Sequence, residues 1–196
     1  MKSISILFFS LFLGVTSQTA LASDSDPDCP VGLLNGMTLD DEFGPGTAAL
    51  TRCISKRDQV KVVYQINQQC KNSACTKPYA IGNIINAIND YEITHGMSAD
   101  EYEIVAVVHS GGWPLILNND AGVDGSGAPT GTRRHNNFQP EMEALLAKGV
   151  RVVFCQNTAR SKGVRTDDLI PGVEYVTAGV TALADYQALG YSFVQP

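Results

Sequence analysis

Cys155 and His109 each stand at the end of an apolar run, and both belong to residue types that react or titrate near neutral pH. Cys155 closes Val150-Arg151-Val152-Val153-Phe154 and passes without a break into Gln156-Asn157-Thr158-Ala159-Arg160. His109 closes Glu103-Ile104-Val105-Ala106-Val107-Val108 and leads into Ser110-Gly111-Gly112. Continuous Val-rich runs bounded by polar residues read as strands buried on both faces of a parallel sheet. Open α/β sheets place their chemistry at the carboxyl ends of such strands. A thiol there meets the positive end of the following helix, which favours the nucleophilic thiolate. The same place also suits a compact core residue, so position alone leaves both roles open for Cys155. His109 could serve as base or donor, or simply be a hydrogen-bonded structural residue.

Four further residues complete the candidate site. Gly111 and Gly112 would let the backbone turn sharply or approach a ligand after the His109 strand. Asn157 and Arg160, on the segment after Cys155, are the candidates for contact with an anionic substrate, with a solvated arginine as the plainer alternative. Cys70 and Cys75 form a C-x4-C pair after the first strand. They lack a second ligand pair, which argues against zinc. A disulfide between them could be a structural staple or could exchange with Cys155.

The elements that would hold these residues follow from periodicity. Val60 to Asn67 reads as the first strand, and Ile81, Ile84, Ile85, Ile88 and Tyr91 form a helical stripe over about Tyr79 to His95. A strand over Glu103 to Val108 follows, then a short helix at Trp113 to Leu117. The loop from Asn118 to Asn137, with Arg133-Arg134-His135, is long enough to be a substrate lid or a disordered segment. A helix over Phe138 to Lys148, the Cys155 strand, a short helix from Thr158 to Lys162, a strand at Val173 to Thr177, a helix over Val180 to Leu189 and a strand at Tyr191 to Val194 complete the chain. This β-α alternation implies a three-layer α/β/α sandwich, with a mainly parallel sheet of about five strands and right-handed crossovers. There is no Walker loop, no G-x-G-x-x-G, no H-E-x-x-H and no G-x-S-x-G.

The N-terminal segment sets the compartment. Lys2, the apolar stretch Ile4 to Val15 and Ala20-Leu21-Ala22 have the layout of a secretory signal over residues 1–22. Cleavage there leaves 174 of the 196 residues, enough for one domain with a sizeable core. It also removes Lys2 from the 14 basic side chains and leaves all 20 acidic ones, a formal charge of −7. That balance argues against nucleic acid and anionic membrane as partners. A periplasmic or secreted location permits disulfides, and the 5 cysteines leave at least one unpaired. Cys29 and Cys53 bracket a Gly/Pro-rich extension over residues 23–58, so the expected bridges are Cys29–Cys53 and Cys70–Cys75, with Cys155 free.

Four segments give residues 60–196 a family likeness. They are VKVVYQIN, EIVAVVHSGG, LLAKGVRVVFCQNTARSKGV around Cys155, and the tail DLIPGVEYVTAGVTALADYQALGYSFVQP. The chain resembles the DsrE/DsrF-like family of sulfur-relay proteins, in an exported form with an added extension and a C-x4-C loop. The resemblance implies a parallel α/β/α sandwich that forms a homo-oligomer. It also implies a role in handling reduced sulfur as a persulfide carrier or sulfurtransferase through Cys155, with a small sulfur species or a sulfur-carrier protein as partner. Neither cofactor nor metal is implied. A binding module using the same pocket, and a thiol–disulfide protein using Cys70 and Cys75, are the alternatives.

Overall fold

The computed structural model describes residues 38–51, 59–119 and 135–196. The expected signal sequence, Cys29, Cys53 and most of the Asn118–Asn137 loop lie outside the described residues. The extension read as irregular contains two helical turns, α1 (Leu39–Phe43) and α2 (Thr47–Leu50). Thr38 starts the first: its hydroxyl accepts the Asp41 N–H, and the Asp41 carboxylate accepts the Thr38 N–H. That reciprocal cap satisfies two donors that a helix start otherwise leaves open.

Five strands form one sheet: β1 (Val60–Ile66), β2 (Tyr102–Val108), β3 (Arg151–Cys155), β4 (Glu174–Val176) and β5 (Ser192–Val194). Their order is β4-β3-β2-β1-β5, and every neighbouring pair is parallel. The chain therefore moves outward in one direction from β1 to β4, then crosses back to the far side of β1. Right-handed crossovers put helices on one face during the outward run and on the other after the reversal. Accordingly α3 (Ile81–Asn89), α4 (Gln139–Ala147) and α5 (Gln156–Lys162) serve the outward run, and α6 (Gly179–Ala188) alone serves the return.

The two sides bury very different cores. On the first, Ile81, Ile84 and Ile88 of α3 and Met142 and Leu145 of α4 pack with Ile66, Ala106, Val108 and Phe154 of the strands. On the second, Ala182 and Leu183 of α6 and Tyr191 cover Val63, Val105, Val107 and Val153. The strands are thus apolar on both faces, which is why they read as continuous Val-rich runs.

The expected helix over Tyr79 to His95 is shorter and changes pitch. Ala80 sits at φ +66°, which holds the start at Ile81, and the last turn, Asp90–Thr94, widens into a π-helix. The wider turn sets Tyr91 against Tyr102, with ring centroids 5.4 Å apart. Directly after β2 and His109, Ser110–Ile116 forms a 3₁₀ helix that extends the short helix expected at Trp113. Cys70 and Cys75 are disulfide-bonded, with Cα atoms 4.9 Å apart.

Candidate functional site

β1, β2 and β3 end level with one another, because Ile66 pairs with Val108 and Val108 with Phe154. Side chains alternate between faces along a strand. Val63, Val107 and Val153 face α6, so Gln65, His109 and Cys155, each two residues further on, emerge on that same side at the carboxyl edge. The site is therefore roofed by the start of α6 and flanked by the start of α5.

Cys155 ends β3, immediately precedes α5 and is only 5 % exposed. Among the described residues it is the free cysteine. Burial is the largest single influence on its thiol and pushes the pKa up. Hydrogen bonds from the Thr158 N–H, the Thr158 hydroxyl, the Gly179 N–H and the Asn157 N–H together outweigh it, and the thiol is held below its ordinary value. This is the balance expected when donors to the charged form offset desolvation.

Thr158 has a definite reason to point its proton at the sulfur. Its Oγ1 accepts the Ser110 N–H at 3.0 Å. A hydroxyl that already accepts one bond is free to donate its single hydrogen elsewhere. Ser110 reaches it from a left-handed backbone, φ +48°, a conformation that costs a non-glycine residue energy and that the surrounding packing must hold.

His109 is 7 % exposed and makes two ring hydrogen bonds, Nε2 to Gln65 Nε2 at 2.8 Å and Nδ1 to Ser110 Oγ at 2.9 Å. With the Gln65 amide donating to Nε2, Nδ1 carries the ring proton and donates to Ser110. Burial pushes the imidazolium pKa down, so the ring is neutral at neutral pH. His109 therefore does not supply a positive charge to the thiolate. Its connection to Cys155 runs through Ser110 and Thr158.

Three glycines make this packing possible. A Cβ on Gly179 would lie 2.8 Å from the His109 Cβ, so α6 can start against the imidazole only without a side chain there. A Cβ on Gly112 would overlap the Ile66 carbonyl oxygen, and one on Gly111 would lie 2.9 Å from the Asn67 carbonyl oxygen. The close approach at Gly111 and Gly112 is thus to the backbone of β1 and the residue after it. Among the described residues, the Asn67 Oδ1 at this edge is a buried acceptor without a partner.

Of the remaining candidates, Asn157 lies beside Cys155 at the start of α5, and Arg160, one turn on, lines a cleft on the other side of the sheet. Asn157 is exposed; its backbone N–H serves the sulfur, and its Oδ1 accepts from Arg160 Nη1 at 2.9 Å. Sequence reasoning missed Gln65, Ser110, Thr158 and Gly179. Gln65 was legible as a polar residue inside an apolar strand, and Gly179 as the glycine opening the last helix. Thr158 carried no signal, because its role depends on where Ser110 arrives from another strand.

Among the described residues no group of three His, Cys, Asp or Glu side chains is placed to hold a metal. No helix there is long and apolar enough to cross a membrane. No curated protein matches the chain. Several solved structures resemble it. A protein of unknown function from Methanobacterium thermoautotrophicum, MTH1491, is 24% identical with a TM-score of 0.52, over 70% of this chain and 99% of that one. The ychN protein from E. coli is 19% identical with a TM-score of 0.47, at the same coverages of 70% and 99%. The first likeness establishes the fold. The family model described as DsrE/DsrF-like matches residues 60–196, from the first residue of β1 to the end of the chain and across every strand of the sheet, and so the chain belongs to the DsrE/DsrF-like family.

Proposed function

We propose that this protein is an exported carrier of reduced sulfur that holds one sulfane sulfur as a persulfide on Cys155. The observation that carries the reading is the set of four donors converging on a buried strand-end sulfur. A thiolate is both the nucleophile that accepts sulfur and the leaving group that releases it, and those donors favour it in both steps. Val153 and Leu183, packed together on the same side of the sheet, are the apolar residues available to shield the attached sulfur. Family membership supports the same reading, since DsrE-family proteins work in sulfur relay, with sulfur carriers as partners.

In the loading step the Cys155 thiolate attacks the terminal sulfur of a donor persulfide. A new S–S bond forms on Cys155, the donor's S–S bond breaks, and the donor leaves as a thiolate that takes a proton from solvent. In the unloading step an acceptor thiolate attacks the terminal sulfur, and Cys155 leaves as the thiolate. No net oxidation occurs and no cofactor is consumed. Neutral His109, its Nε2 accepting from Gln65 and its Nδ1 donating to Ser110, acts by holding Ser110 against Thr158, and the acceptor's thiol proton goes to solvent. Asn157, beside the sulfur at the start of α5, would meet the incoming sulfur species, and Gly111 and Gly112 let the chain after His109 pack on the end of β1.

Export in the 1–22 signal and assembly into a homo-oligomer belong to this proposal. Exposed Val180 and Leu189 of the α6 region, at 71% and 68%, and Phe193 of β5, at 42%, supply apolar area for such contacts.

Incubation of the exported protein with an organic persulfide, followed by intact and peptide mass measurement, tests the reading. One added sulfur on the Cys155 peptide is expected, and none in Cys155→Ser. A wild-type protein that folds, binds the donor and takes up no sulfur is a binding module. Sulfur exchange confined to Cys70 and Cys75 assigns the thiol–disulfide role.

A further inference from the structure

Immediately after Cys155, but on the opposite side of the sheet from its sulfur, α5 and the turn that follows enclose an open cleft of about 520 Å³ beginning at Gln156. Its lining is mostly polar, with buried Val164 and the ring of Tyr175, which leans on Phe154 at a centroid distance of 6.0 Å, as its apolar part. Its rim carries Arg160 and Arg165, both exposed, against one carboxylate, Asp167. Among the described residues neither guanidinium has a carboxylate partner. In a chain of formal charge −6, two arginines thus line one cleft, with the Asp167 carboxylate in the lining and that of Asp168 beside Arg165.

The wall carrying Arg165 is held in place. Asn118 Nδ2 donates to the Asp167 carbonyl at 2.9 Å and to the Leu169 carbonyl at 3.1 Å, and the Arg165 N–H donates to Asp168 Oδ2 at 2.7 Å. Gly163, at φ +68°, ends α5, and the chain beyond it brings Arg165 into the same cleft as Arg160. A fixed wall lowers the ordering cost of binding.

We propose that this cleft binds an oxyanion-bearing organic ligand, its carboxylate or equivalent group taken by Arg160 and Arg165 and its body lying on Val164 and Tyr175. The guanidinium fork matches planar oxyanions and binds them with two parallel bonds. The volume falls in the range of roughly 300–1,000 Å³ typical of small-molecule sites and is far larger than an inorganic anion requires. The cleft does not depend on the thiol chemistry, because it opens on the other side of the sheet. The same carboxylate chemistry is offered by a free organic acid and by an acidic segment of a protein partner.

Equilibrium binding of succinate and of an acetylated acidic hexapeptide to the full exported protein separates these sources. Saturable binding of at least one probe is expected, weakened about tenfold by Arg165→Gln and by Arg160→Gln, the loss of roughly one charge-assisted pair. Asp167→Asn, which removes the opposing carboxylate, should tighten binding, and it guards against misfolding of the arginine variants. Tighter binding of the peptide assigns the polypeptide source; equal or tighter binding of succinate assigns a free acid. Cys155→Ser should bind both probes as the wild type does, whatever the outcome of sulfur loading. Failure of both probes to bind, or binding unchanged in both arginine variants and in Asp167→Asn, overturns the proposal.

Discussion

At the scale of single residues, Thr158 is the side chain whose removal should report most directly on the thiol. Thr158→Val keeps the shape of the side chain and deletes the hydroxyl that accepts from Ser110 and donates to Cys155. The thiol pKa, followed by thiolate ultraviolet absorbance against Cys155→Ser, should then rise, and Thr158→Ser should restore it. An unchanged pKa in Thr158→Val would show that the backbone donors alone hold the thiolate. The linkage has a fixed sign. A thiol whose folded pKa is depressed adds stability that is complete above its unfolded value of about 8.5 and is lost as pH falls through the folded value. His109 acts in acid: its folded pKa is lowered, so stability falls as pH drops below about 6.5 and levels off below the folded value. Urea titrations from pH 7 downward should show that loss in the wild type and less of it in His109→Gln. Equal losses in the two proteins would place the acid sensitivity elsewhere. Cys155 and His109 were legible because each ends a strand. Thr158 and Ser110 were not, because their bond joins two connections that are 48 residues apart in sequence.

At the scale of elements, the junctions around the sheet edge decide whether the site assembles. Gly179→Ala should cost about 1–3 kcal/mol, since its Cβ has no room beside the His109 Cβ and α6 must shift to admit it. Chemical denaturation measures that loss, and a variant as stable as the wild type would mean that α6 does not rest on the imidazole. The Cys70–Cys75 staple closes a loop with a sequence separation of 5, so its loss in the double serine variant should cost only about 2 kcal/mol on the loop-entropy account. A larger loss would point to packing, since both cysteines lie against the main core. The strands and the four main-domain helices were legible from apolar runs and from helical spacing. The π turn at Asp90–Thr94 was not, because a helical stripe that continues through Tyr91 looks the same whether the turn holds four residues or five. The turns at α1 and α2 were overlooked among the glycines and prolines around them, although Thr38 and Asp41 stand at capping-box spacing.

At the scale of the whole molecule, strand order settles what no local pattern could. Reversal between β4 and β5 leaves one helix to cover a whole face, and that helix also roofs Cys155. α6 buries only Ala182 and Leu183 from its body, and β5 pairs with β1 over three residues. The opposite face buries α3, α4 and the 3₁₀ segment in one continuous core. Units that bury little apolar surface open at a free energy below that of global unfolding. The α6–β5 unit should therefore be the first part of the sheet to open, and its opening should uncover a sulfur that is otherwise 5 % exposed. Amide exchange in α6 and β5 should run faster than in β1, β2 and β3. Alkylation of Cys155 should follow the same opening, with a urea dependence much shallower than that of global unfolding, because the surface exposed in the step is small. If alkylation instead rises as steeply with urea as global unfolding does, the thiol is released only when the whole domain melts, and a sulfur donor must reach it by another route than the α6 roof.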